Sequence, residues 1–182
     1  MIKTFRRIIT AENLEGKSCV LSSAEPEVTV EIPNMGRFYN LWQTQTLPAS
    51  IPIVEDLNMS SPPGVPRSPQ DTQFRLMVIE PESRISEADK EQMVAMMEAD
   101  ERLVRADHSG HSTMHRTDSI DYLVMLSGEI YLKTDMEEIL LRPGDFVVQG
   151  GVNHDWINRS DQPAILVGVM LSAGRNSLGQ RA

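Results

Sequence analysis

Between residues 112 and 172, apolar and polar positions alternate in short runs broken by Ser-Gly, Pro-Gly and Gly-Gly pairs. Such alternation marks half-buried strands, because successive side chains in a strand point to opposite faces. The pattern predicts strands at 114–117, 120–126, 129–134, 138–142, 145–149, 154–158 and 164–171. Their spacing of roughly 8–10 residues predicts an antiparallel sandwich or barrel. Residues 74–80 read as the first strand of that body. A helix is predicted over about 87–105, with Ser86 as N-cap and Asp89 three residues on. Met93, Met96, Met97, Asp100 and Val104 fall at helical spacing and form one mostly apolar stripe. That stripe either covers the barrel wall or forms a lid over its mouth or a dimer contact.

The preceding chain reads differently. Strand-like runs at 6–10, 18–22, 27–32 and 37–44 are separated by turn residues. A Pro-rich stretch at 47–70, with Pro48, Pro52, Pro62, Pro63, Pro66 and Pro69, predicts a long surface loop. The expected organisation is one domain over 1–182, with N-terminal strands at 1–46, a loop at 47–73, a barrel at 74–172 and a frayed tail at 173–182. The early strands have no evident core of their own. Pairing with a partner's sheet edge in a homodimer is therefore expected.

Composition narrows the function classes. The 182 residues carry a net charge of −9, which argues against nucleic acid, whose phosphates need clustered Lys and Arg. Cys19 is the sole cysteine, so no internal disulfide is possible. The apolar run near the start is too short for a secretory signal. The longest one, 164–171, is far short of the roughly 20 residues that span a bilayer. A cytoplasmic protein without a membrane partner is expected. Phosphate-binding Gly loops, CxxC pairs, HExxH and GxSxG are all missing from the sequence.

Candidate chemistry lies in two motifs, MHRTDSIDYLVMLSGEI from Met114 and RPGDFVVQGGVNHDWIN from Arg142. His115, Thr117 and Asp121 share one strand parity, and His154 can join them from a second strand. Gln149 and Trp156 share the parity of their cavity-facing neighbours and are expected in the pocket. Tyr122 has the opposite parity to Asp121 and should point away. His108 and His111 sit in a Ser/Gly-rich segment and read as loop residues, with a substitute ligand as the alternative reading for one of them. Tyr39 and Trp42 read as packing residues.

These motifs resemble those of the cupin family. His115, Thr117, Asp121 and Gly128 fall at the spacing of its first motif. Gly144, Gly151, His154 and Asn158 match most of its second. The resemblance covers about 74–171 and implies an all-β double-stranded β-helix, a jelly-roll barrel. This chain departs from the pattern in five places, the first being that no glycine stands at the leading position of motif one. Thr117 stands for the second His, Asp121 for the Glu and Gln149 for the Pro, and the run from Gly144 is one residue short.

The resemblance also implies one divalent metal. The remaining set is His115, Asp121 and His154, a two-histidine, one-carboxylate site suited to Fe, Mn, Ni or Zn. On this reading the protein is an enzyme acting on an oxygenated organic substrate, of dioxygenase, decarboxylase, isomerase or dehydratase type, with no organic cofactor. The alternative starts from reach: Asp is shorter than Glu by one C–C bond, roughly 1.5 Å. The barrel would then be a metal-free binding or acid/base pocket, with Asp121 as partner to a histidine. A purely structural cluster, or a dimer module with a filled interior, is the third possibility.

Overall fold

The computed structural model describes residues 4–56, 66, 68–101, 103–104 and 113–175. Thirteen strands and one α-helix occur among them. The chain starts with a hairpin of β1 (Arg7–Glu12) and β2 (Ser18–Ala24), which pair only with each other. β3 (Val30–Ile32), β4 (Gly36–Thr44) and β5 (Thr72–Ile79) follow. After a 3-10 turn at Glu82–Arg84 comes α1 (Glu87–Glu98), then short β6 (Leu103–Val104) and β7 (Arg116–Thr117). The remaining strands are β8 (Ser119–Ser127), β9 (Ile130–Thr134), β10 (Glu138–Leu141), β11 (Phe146–Gln149), β12 (His154–Ile157) and β13 (Ala164–Ser172).

Two sheets form the barrel. The larger has six strands in the order β11-β8-β13-β5-β4-β3, and the smaller is β10-β9-β12. The architecture is an all-β jelly-roll barrel, as the alternation predicts. One expectation changes. β4 lies along the whole of β5, from Gly36 opposite Ile79 to Thr44 opposite Thr72. β3 and β4 therefore belong to the barrel's own sheet, with β3 at its edge. The sequence hid this because Pro-rich 47–70 separates two strands that are neighbours in space.

The interior is graded. Along β8 the inward positions run Ser119, Asp121, Leu123, Met125, polar at one end and apolar at the other. Leu123 and Met125 join Met77, Ile130, Leu141, Ala164 and Leu166 in one buried cluster, with Trp156 packed against it. Burial of such side chains is the main favourable term in folding. Gly168 on β13 makes that packing possible. A Cβ there would lie 2.5 Å from Leu123 Cδ2 and 2.3 Å from the Tyr122 carbonyl oxygen.

α1 is capped as its sequence predicts. Ser86 accepts from the Asp89 backbone N–H, and the Asp89 carboxylate accepts from the Ser86 N–H in a capping box. The helix ends at Glu98, earlier than the expected 105. The chain turns there so that Leu103 and Val104 can pair with Thr117 and Arg116. The helical spacing of Val104 was therefore coincidental.

Candidate functional site

Backbone pairing creates the site. His115 and His154 sit opposite one another in an isolated antiparallel bridge. The His115 N–H donates to the His154 carbonyl at 3.0 Å, and the His154 N–H returns the bond at 2.8 Å. Directly opposed residues project to one side of a sheet, so the imidazoles meet with ring centroids 4.4 Å apart and planes tilted by 52°. Gly151 sets up this approach. Its φ of +63° turns the chain into β12, and a Cβ would come within 2.9 Å of the Thr117 carbonyl oxygen.

Hydrogen bonds fix both tautomers. His115 Nδ1 lies 2.9 Å from the Thr113 carbonyl oxygen, and His154 Nδ1 lies 2.9 Å from that of Val152. A carbonyl only accepts, so each Nδ1 carries the proton and each Nε2 keeps its lone pair. The Gln149 side-chain amide nitrogen lies 2.8 Å from His154 Nε2 and 3.0 Å from its Nδ1, against the ring. No described group takes the lone pair of His115. Burial lowers the pKa of both rings. For His154 the repulsion of His115 adds to the effect, and the value falls to about 3. Both rings are neutral at pH 7.

Asp121 is buried on β8, directly across from Gln149. Burial raises its pKa, opposed by the Ser119 hydrogen bond and by the charge of Arg75. Its hydrogen-bond partner is not a histidine. Ser119 Oγ donates to Asp121 Oδ1 at 2.7 Å, and Thr117 Oγ1 lies 2.8 Å from Ser119 Oγ. Because Ser119 gives its proton to Asp121, Thr117 is the donor to Ser119. The expected His–Asp pair is thus replaced by a Thr117–Ser119–Asp121 relay.

A cavity of about 470 Å³ opens over these groups. His115, His154, Thr117, Asp121 and Trp156 line it, as the parity argument requires. Gln149, expected in the pocket, does not line it, because its amide packs against the His154 ring. Asn158, also lining it, serves structure. Its amide donates to the carbonyls of Ile79 and Gln162 and ties β12 to the end of β5. Met93, Met96 and Met97 of α1 form the opposite wall, with Met35 and Phe38 beside them. The methionine stripe therefore contributes to the cavity wall. Tyr122 points outward.

The residue that sequence reasoning missed is Arg75. It lies on β5 and lines the cavity. Burial lowers its pKa while the charge of Asp121 raises it. No salt bridge or hydrogen bond to its guanidinium is found among the described residues, and its Nε is buried without a partner. The signal was present, since Arg75 shares strand parity with Met77 and Ile79. Ser119 was also missed, although its parity matches Thr117 and Asp121.

A metal on His115, Asp121 and His154 does not fit this arrangement. Among the described residues, no three imidazole, thiolate or carboxylate groups gather closely enough to hold an ion. The Gln149 amide packs against the His154 ring, and Asp121 Oδ1 is directed to Ser119. The fixed positive charge of Arg75 also opposes a second cation in the same low-dielectric space. The expected ligand set thus shares a cavity without converging on a point. His108 and His111 lie outside the described residues.

The fold is a jelly-roll β-barrel with a polar, histidine-bearing cluster at one end of its interior. A cupin domain family model matches residues 102–170. Two curated relatives from Diaporthe leptostromiformis, phomopsin biosynthesis cluster proteins C' and D, are each 31% identical over 166 residues, covering 87% of this chain and 73% of theirs. The chain belongs to the cupin family. Among solved structures, a cupin 2 conserved barrel domain protein from Salinispora arenicola shares 16% identity and a TM-score of 0.41, covering 79% of this chain and 82% of that one. A sugar phosphate isomerase of the cupin superfamily from Silicibacter pomeroyi gives 18% and 0.35, covering 56% and 51%. Among the described residues no helix is long and apolar enough to cross a membrane.

Proposed function

We propose that this protein is a small-molecule cupin enzyme that moves a proton with His115, without a divalent metal on the His115, Asp121 and His154 set. The observation that carries the reading is the state of His115. Its Nδ1–H is tied to Thr113, burial holds the ring neutral, and its Nε2 lone pair is left to the cavity. A neutral imidazole of that kind is a competent general base. The suitable substrate is an oxygenated organic molecule with an acidic C–H next to a carbonyl. In the step itself, the C–H proton passes to His115 Nε2 and the electron pair moves onto the carbonyl oxygen. His154, held by Gln149 and Val152, positions the wall of the site. The relatives named for a phomopsin biosynthesis cluster are in keeping with a role in making a small organic product.

The test is solvent deuterium exchange, followed by NMR, across a panel of oxo acids and ketones, with metal content measured on untagged protein. The expected result is exchange into at least one panel member that survives chelation and falls at least a hundredfold in His115→Gln. Exchange that vanishes on chelation and returns with one equivalent of metal would overturn the metal-free reading. Ligands that bind without any exchange would make the protein a binding barrel instead.

A further inference from the structure

From Arg75 we infer that the cavity selects ligands bearing a single carboxylate joined to an apolar body. This inference rests on the reading of the cavity as a small-molecule site, and it names the ligand class that reading leaves open. The argument starts from cost. A guanidinium cannot shed its proton near neutral pH, so burying one without a partner is expensive. Arg75 is enclosed deeply enough for burial to lower its pKa, yet no side chain or carbonyl among the described residues pairs with it. Asp121, the nearest anion to influence it, forms no salt bridge with it and spends one oxygen on Ser119. What remains accessible of Arg75 faces the cavity it lines. A planar fork of donors in that position suits a planar carboxylate, which it can hold through two parallel hydrogen bonds.

The rest of the cavity sets the class. Arg75 and Lys90 share the lining with five carboxylates, Glu80, Glu82, Asp100, Asp121 and Asp155, so Arg75 can meet one ligand charge while the second charge of a dianion such as a phosphate monoester would face an acidic wall. Met93, Met96, Met97, Met35 and Phe38 also line the cavity and offer an adaptable apolar surface for the ligand body. A carboxylate on Arg75 would stand in the same cavity as His115 Nε2, with the apolar body under α1.

The experiment compares matched ligands on the full chain by ligand-observed NMR and calorimetry. Phenylacetate and hexanoate are set against phenylacetamide, hexanamide and benzyl phosphate. The carboxylates should bind at least tenfold more tightly than their amides and than the phosphate. Arg75→Gln should abolish the preference, and Arg75→Lys should restore part of it. Asp121→Asn should raise carboxylate affinity severalfold by removing a repulsive charge, which keeps the test decisive if Arg75→Gln fails to fold. Equal binding of acid and amide, or a preference that survives Arg75→Gln, would overturn the inference, as would tighter binding of the phosphate or weaker carboxylate binding in Asp121→Asn. His115→Gln should leave the preference intact while removing deuterium exchange. A lost preference with exchange retained therefore sinks only the carboxylate inference, and the converse sinks only the catalytic reading.

Discussion

Two adjacent rows across the six-stranded sheet carry opposite chemistry. The inward row runs Gln149, Asp121, Met170, Gln73 and Gln43 through β11, β8, β13, β5 and β4. The next row, facing outward, runs Val148, Tyr122, Val169, Phe74 and Trp42 through the same strands. An antiparallel sheet with one solvated face usually puts its apolar residues inside. At this end of the barrel the order is reversed. The four polar members of the inward row are each less than 7% exposed, whereas Val148 is 72% and Tyr122 51% exposed. Further along the same strands, at Met125, Leu166 and Met77, the ordinary order returns. Buried polar groups cost free energy unless paired, and exposed apolar rows mark surfaces that something covers. The reversal separates a polar end of the sheet, where Asp121 and Met170 line the cavity, from the apolar part that holds the fold.

The largest expected effect comes from protonating the inner end. His154 has a folded pKa of about 3 against an ordinary 6.5, because burial and His115 disfavour its cation. Between those values the unfolded chain takes up a proton that the folded one refuses, so stability is full above about 6.5 and is lost as pH falls towards 3. At about 1.4 kcal/mol per pKa unit the loss is on the order of 4 kcal/mol. His115 shifts in the same direction and adds to it. Asp121 opposes it, since its raised pKa lets the folded state take up a proton first as pH falls. Urea denaturation at pH 7, 5 and 4 reads the balance. His154→Gln should flatten the slope. A wild-type stability that stays level down to pH 4 would show that the inner end is wetter than its burial implies.

Next in size is the outer face. β11 is an edge strand, and it exposes Phe146 at 81% and Val148 at 72% with no charge among its four residues. Natural edges are usually guarded by charge, bulges or a covering element. The apolar row continues onto Tyr122 and Phe74, so a second copy of this chain laid face to face would cover both rows at once and meet no net repulsion there. Sedimentation at micromolar concentration should give a dimer. Phe146→Asp with Val148→Asp should weaken it by at least thirtyfold, a hot-spot loss of about 2 kcal/mol, while the folded monomer keeps its stability. A wild-type monomer throughout would leave the outer row without a partner of its own kind.

The sequence was legible where one local rule governs a run. Strand alternation located every barrel strand from β8 to β13 within a residue or two, and the Ser86–Asp89 box located the start of α1. Parity put Thr117, Asp121, His154 and Trp156 on the cavity. It failed where chain separation or competition decided. β4 joins β5 across the Pro-rich stretch, a pairing that no local pattern announces. Helical spacing carried the expectation past Glu98, yet strand pairing with β7 took Leu103 and Val104. Asp121 and His154 were read as ligands from residue type and parity. Their actual partners, Ser119 and Gln149, depend on distances that spacing does not encode. Arg75 was passed over because a lone Arg in an apolar strand reads as an outward residue unless the whole strand's parity is followed.

The smallest effect separates a stored cost from a hidden satisfaction. Gln73 is 3% exposed and its Oε1 has no partner among the described residues. Methionine has nearly the same length and no acceptor to leave bare. If the polar row is held at a cost for ligand binding, Gln73→Met should stabilise the protein by about 1 kcal/mol, the usual scale of relieving an unpaired buried acceptor. It should weaken carboxylate binding at the same time, as replacements in a functional pocket commonly do. The measurement is paired: urea midpoint and phenylacetate affinity on the same variant. Loss of stability instead would mean that a bound water already satisfies Oε1. The inward row would then be structural from Gln43 to Gln73, and the reversal across the sheet would serve the site only at Arg75, Asp121 and Gln149.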